Sequence, residues 1–127
     1  MHIIVCTHRR EVEETVARAF DGAEDRRTVC ESGMDLLAAA TTLAADLLVL
    51  DLETPGLNGL LLVSALQQLA PKLPVVAVTT KADTDARPLA QKGVRVARLT
   101  AENSLQPLTA ELDRWSRQAA GAGALSP

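Results

Sequence analysis

The side chains able to do chemistry fall in five short clusters: Cys6-Thr7, Cys30-Glu31, Asp51 through Gly59, Thr79-Thr80 and Leu99-Thr100. Each ends or follows an apolar run of strand length, where a parallel strand delivers polar groups to the carboxyl edge of a sheet. Asp51 closes the run Leu47-Leu48-Val49-Leu50, and Glu53 adds a second carboxylate two residues on. A carboxylate in that place can cap the amides of the following loop or, with partners, hold a cation. Thr79 is a strand-terminal hydroxyl, and Lys81 is spaced to pair with Glu53 across neighbouring loops, worth only about 0–1 kcal/mol if exposed. Cys6 and Cys30 fit no zinc spacing and read as small buried hydrophobes. Because they end the first and second strands, a redox link between them is geometrically open. His2 and His8 have no partner at ligand spacing.

The elements that must position these groups follow from periodicity. Ile3–Cys6, Arg27–Glu31, Asp46–Asp51, Val75–Val78 and Val94–Leu99 read as strands. The unbroken apolar run before Asp51 implies burial on both faces, as a central parallel strand requires. Arg95 and Arg98 mark the last strand as an edge. Between the strands lie stretches of helical length: Arg9–Asp21, with Val12, Val16, Ala19 and Phe20 on one face, then Met34–Leu43, Leu60–Ala70 and Asp83–Lys92. A fifth helix follows a capping box at Asn103 and Gln106, with Leu105, Leu108, Leu112 and Trp115 as its apolar stripe. Strands alternating with helices call for βαβ crossovers and a parallel sheet. Residues 1–120 form one such domain, and 121–127 are expected to be a flexible tail or the start of a linker.

Composition narrows the function. The 127 residues are 47% hydrophobic and 23% charged, with one Trp, one Phe and no Tyr, so the core is aliphatic. A net charge of −3 speaks against direct nucleic-acid binding, which needs a concentrated basic face. Arg9–Arg10 and Arg26–Arg27 read as solvated surface. No run approaches the roughly 18 apolar residues of a membrane span, and the amino terminus lacks a signal-peptide pattern. A cytoplasmic location is the expectation.

The segment Leu47 to Gly59, with an aspartate ending an apolar strand, Pro55 four residues on and Gly59 eight residues on, resembles the CheY-like receiver domains of two-component response regulators. Val75-Val76-Ala77-Val78-Thr79 resembles the family's fourth strand, and Gly93 stands where the family has a glycine before its fifth. The resemblance covers nearly the whole chain. It implies a flavodoxin-like three-layer α/β/α sandwich, (βα)5, around a five-stranded parallel sheet of order 2-1-3-4-5. It also implies signal relay without enzymatic turnover, with a sensor histidine kinase or a downstream target as partner. A homodimer through the fourth helix, fifth strand and fifth helix is implied as well.

In that family an aspartate accepts a phosphoryl group from a kinase phosphohistidine, which is chiefly positioning and charge neutralisation. The resemblance puts Asp51 at the phosphoacceptor position and Thr79 in contact with the phosphoryl group. Mg²⁺ must share the phosphoryl oxygens and needs further carboxylates. The family's acidic pair at the end of strand one is replaced by Cys6 and Thr7, its lysine by Thr100, the following proline by Ala101, and its strand-five aromatic by Ala97. Asp51 and Glu53 alone make a poor Mg²⁺ site, and without the metal an anion must attack an anion. The pattern is that of a degenerate receiver. Two readings stay open: a switch driven by phosphorylation of Asp51, and a docking or dimerisation module set by its partners. A remote third follows from Cys6, whose place after strand one resembles the phosphocysteine carriers of phosphotransferase-system IIB type. That chemistry needs a thiolate ringed by backbone N–H groups, and the sequence from Cys6 to Glu11 has no Gly or Ser to supply them.

Overall fold

A computed structural model describes residues 1–80, 83–102 and 104–125. In chain order the elements are β1 (His2–Cys6), α1 (Arg10–Ala19), β2 (Arg26–Cys30), α2 (Gly33–Thr42), β3 (Leu47–Asp51), α3 (Gly59–Leu69), β4 (Val75–Thr79), α4 (Asp83–Gln91), β5 (Arg95–Arg98) and α5 (Gln106–Leu125). The strands form one sheet of order β2-β1-β3-β4-β5, and all its pairings are parallel. This is the architecture expected from the alternation of apolar runs, with boundaries displaced by a residue or two. The backbone of α5 is helical as far as Leu125. The proposed cap at Asn103 lies outside the described residues.

Strand alternation splits the core into two layers. Ile3, Val5, Leu47, Val49, Val76 and Val78 face α1 and α5, where they meet Val12, Val16, Leu108 and Leu112. Ile4, Cys6, Leu48, Leu50 and Ala77 face the opposite layer and pack with Leu36, Leu62, Leu66 and Leu89. Leu105 and Trp115 lean on the first cluster, so the Leu105–Trp115 stripe is the core face of α5. Every residue of β3 is buried, as its unbroken apolar run demands. β5 carries exposed Arg95 and Arg98, as its edge reading expects, and the other edge strand, β2, carries exposed Arg26 and Arg27.

Local signals fix the helix ends. Asn58 caps α3 by accepting the Leu61 N–H at 3.0 Å, and Ser32 caps α2 by accepting that of Asp35 at 3.1 Å. The exit from α4 is a Schellman turn: the Val94 N–H reaches the Leu89 carbonyl and that of Gly93 the Ala90 carbonyl. Gly93 adopts φ +86°, the left-handed backbone this turn needs. Among the described residues no helix is long and apolar enough to cross a membrane.

Candidate functional site

Alternation along β3 sends Leu47, Val49 and then Asp51 toward the α1 layer, and the carboxylate emerges beneath the loop that joins β1 to α1. That loop supplies its partners. Arg9 grips Asp51 with two parallel bonds, Nε to Oδ2 and Nη2 to Oδ1, each 2.8 Å. The Thr7 hydroxyl donates to Oδ2 at 2.6 Å, and the Glu53 N–H donates to Oδ1 at 3.0 Å. The Thr7 oxygen also accepts the Arg9 N–H at 3.0 Å, which fixes the loop that carries the guanidinium. Thr54, itself buried, ties the following turn by donating its hydroxyl to the Asp51 carbonyl. The Asp51 side chain is 1% exposed and that of Arg9 25%, so a buried carboxylate is fully hydrogen-bonded and neutralised from one side. A planar guanidinium fork suits this bidentate task. The bond to Asp51 in turn holds the Arg9 guanidinium protonated, above its ordinary value.

This overturns the reading of Arg9 as solvated surface; Arg10, Arg26 and Arg27 are exposed as expected. The neglected signal was local. An aspartate buried at the end of a central strand, with no acidic pair at the end of strand one to share a metal, calls for a cation. Arg9 follows β1, the strand that pairs with β3, and its side chain is long enough to reach back.

Glu53 faces elsewhere. Its Oε1 accepts the Thr79 hydroxyl at 3.2 Å, the Thr80 N–H at 2.7 Å and the Thr80 hydroxyl at 2.9 Å. Alternation along β4 accounts for this: Val76 and Val78 face α1 and α5, so Thr79 points to the opposite layer, away from the side on which Asp51 emerges. Thr79 is therefore brought to Glu53, and Thr7, read only as a lost metal ligand, is the hydroxyl brought to Asp51. Lys81, expected to pair with Glu53, lies outside the described residues.

The residues present do not fit Mg²⁺. Both Asp51 oxygens are taken by donors, the Glu53 carboxylate turns to the β4 end, and no cluster of three or more acidic, His or Cys side chains occurs among the described residues. The Asp51–Glu53 pair expected as a weak metal site thus does not converge. Each Asp51 oxygen accepts two hydrogen bonds, Oδ1 from Arg9 and the Glu53 amide and Oδ2 from Arg9 and Thr7. Thr100, in the place of the family's lysine, is half-buried, and Ala97, in the place of its aromatic, belongs to the first core cluster.

Cys6 and Cys30 are register partners on β1 and β2, both buried and both free thiols. Burial, reinforced by the neighbouring Cys30 and Asp51, pushes the Cys6 thiol from 9.0 up to about 12; burial likewise raises Cys30. The one hydrogen bond of the Cys6 sulfur is a donation to the Ser32 carbonyl at 3.8 Å. A neutral thiol facing a carbonyl is the reverse of a thiolate ringed by N–H groups, which removes the phosphocysteine reading. Native protein at pH 8 should therefore resist iodoacetamide at both cysteines while urea-unfolded protein is labelled at both, as intact mass would read; rapid native labelling of Cys6 would refute this. The folded-state thiol pKa is raised, so its contribution to stability is complete below about 9 and is lost as pH climbs toward 12.

Comparison with known proteins agrees with this fold. Residues 3–96 match the family described as the response regulator receiver domain. Over 69 residues, 54% of this chain, the sequence is 42% identical to the DNA-binding transcriptional regulator NtrC of Klebsiella pneumoniae. The match takes in only 15% of that protein's length. Among solved structures, the receiver domain of the TMAO respiratory system response regulator TorR superposes with a TM-score of 0.71 at 22% identity, covering 92% of this chain and 97% of that one. A chain described as adenylate cyclase from Rhodopirellula baltica superposes with a TM-score of 0.68 at 16% identity, over 98% and 95% of the two chains. At such identities these structures speak for the fold alone.

Proposed function

Because the chain belongs to the response regulator receiver family, we propose that it relays two-component signals by protein contact while Asp51 stays unphosphorylated. The observation that carries this reading is the bidentate Arg9–Asp51 pair. It puts a fixed internal cation against the carboxylate and occupies the lone pairs that phosphoryl transfer would require. With its charge already balanced, the site has little to gain from a divalent cation, and the state of the domain is set by what docks on it. The partner is a sensor histidine kinase or a downstream target. Self-association through α4, β5 and α5 is a further part of this reading; on that face Arg95 of β5 pairs with Glu111 of α5 at 2.8 Å. Residues 1–120 act as the signalling unit, in the cytoplasm, with no catalytic turnover and no direct contact with nucleic acid.

The test is an incubation with acetyl phosphate and Mg²⁺ followed by intact mass spectrometry. The expected result is an unchanged mass. A stable adduct of about 80 Da, absent from Asp51→Asn, would overturn the reading in favour of a phosphorylation switch.

A further inference from the structure

A groove of about 460 Å³ opens beside the clamp, between the β1–α1 loop and the β5–α5 loop. Arg9, Glu11 and Thr80 line one side, and Leu99, Ser104 and Leu105 line the other. Asp51 uses only the Nε–Nη2 edge of Arg9; the Nη1 side makes no hydrogen bond to a described residue. Glu11, exposed on the first turn of α1, is close enough for its charge to act on the Arg9 guanidinium. Leu99 and Leu105 give the groove an apolar floor. Ser104 holds its rim in a left-handed backbone conformation, φ 51°, with its N–H on the Thr100 carbonyl at 2.9 Å. A non-glycine residue held there marks a place where the surrounding structure imposes the shape.

The charges select the ligand. Arg9 offers the groove the donors of its outer edge and Glu11 a carboxylate, the two charged side chains of its lining. A simple carboxylate would meet Arg9 at the cost of Glu11, and a simple amine the reverse. A molecule carrying both charges on adjacent atoms, with an aliphatic tail, satisfies both and covers the leucines. We infer that this groove binds an aliphatic α-amino acid: its carboxylate on the outer edge of Arg9, its ammonium on Glu11 and its side chain over Leu99 and Leu105. The volume is within the range of small-molecule sites, which pair an apolar lining with a few convergent polar groups. The inference goes beyond phosphate-independent relay by naming a ligand, and it does not depend on whether Asp51 accepts phosphate.

The test is an amide and Arg Nε–H NMR titration of the 127-residue chain with L-leucine, with isovalerate (no ammonium) and with isoamylamine (no carboxylate). Leucine should saturate with shifts confined to Arg9, Glu11 and residues 99–105, and bind at least about tenfold more tightly than either fragment. Glu11→Gln should bring leucine down to the affinity of isovalerate while the Arg9 Nε–H stays where the Asp51 bond places it. The proposal fails if leucine does not saturate, if isovalerate binds as tightly, if the shifts lie elsewhere, or if Glu11→Gln leaves the affinity unchanged. The phosphodonor experiment reads a covalent mass and this one reversible shifts, so each can fail without the other.

Discussion

Arg9→Ala is expected to lower the free energy of unfolding by about 3 kcal/mol, because it strands a carboxylate that is almost wholly removed from water. The Thr7 hydroxyl and the Glu53 amide remain, so the Asp51 oxygens are not left bare, but neither donor carries a positive charge. The cost therefore falls at the lower end of what breaking a buried pair entails. The sign of the pair's own worth is a separate matter. Arg9→Met with Asp51→Leu, which replaces both charges by apolar groups of similar bulk, should recover most of the loss. Denaturant midpoints of the parent, the single and the double variant test this. A single variant within about 0.5 kcal/mol of the parent would mean that Arg9 is surface after all.

Leu48→Ala should cost about 4 kcal/mol. Leu48 lies on β3 between two parallel neighbours, Ile4 on β1 and Val75 on β4, and is wholly buried in the cluster beneath α2 and α3. Removing its branched end leaves a cavity on a strand that cannot shift without dragging both partners, which is the costly limit of large-to-small substitution. Leu61→Ala, on the first turns of α3 and 68% exposed, should stay within about 0.5 kcal/mol. Equal losses at the two positions would contradict the central placement of β3.

The contrast between these leucines shows what the sequence could disclose. Strand order came with the family resemblance, while burial followed from patterns that depend on local spacing: the apolar run before Asp51, the arginines of the last strand and the glycine after α4. The loop after Asp51 was legible for the same reason, since its turn residues lie within eight positions of Asp51. Arg9 was not. Its role depends on a flexible side chain crossing from one loop to the adjacent strand, and an arginine in a doublet looks like solvated surface whether or not it folds back. Thr7 was noticed only as a missing carboxylate. Glu53 was placed correctly in the loop, but the direction of its side chain depends on which face of β4 presents Thr79, and that turns on the exact register of the strand.

The clamp also bears on time. Arg9 and Asp51 are 42 residues apart in the chain, and Glu53 reaches Thr79 and Thr80 across 26 and 27. These bonds join loop tips whose positions depend on the pairing of β1, β3 and β4, so they are expected to form after the folding barrier. Interactions absent at the barrier leave the refolding rate near its parental value and act on the unfolding rate. Loss of the clamp in Arg9→Ala should then appear as unfolding faster by on the order of 100-fold. The charge that replaces a metal at this site works as a latch on the lifetime of the folded chain.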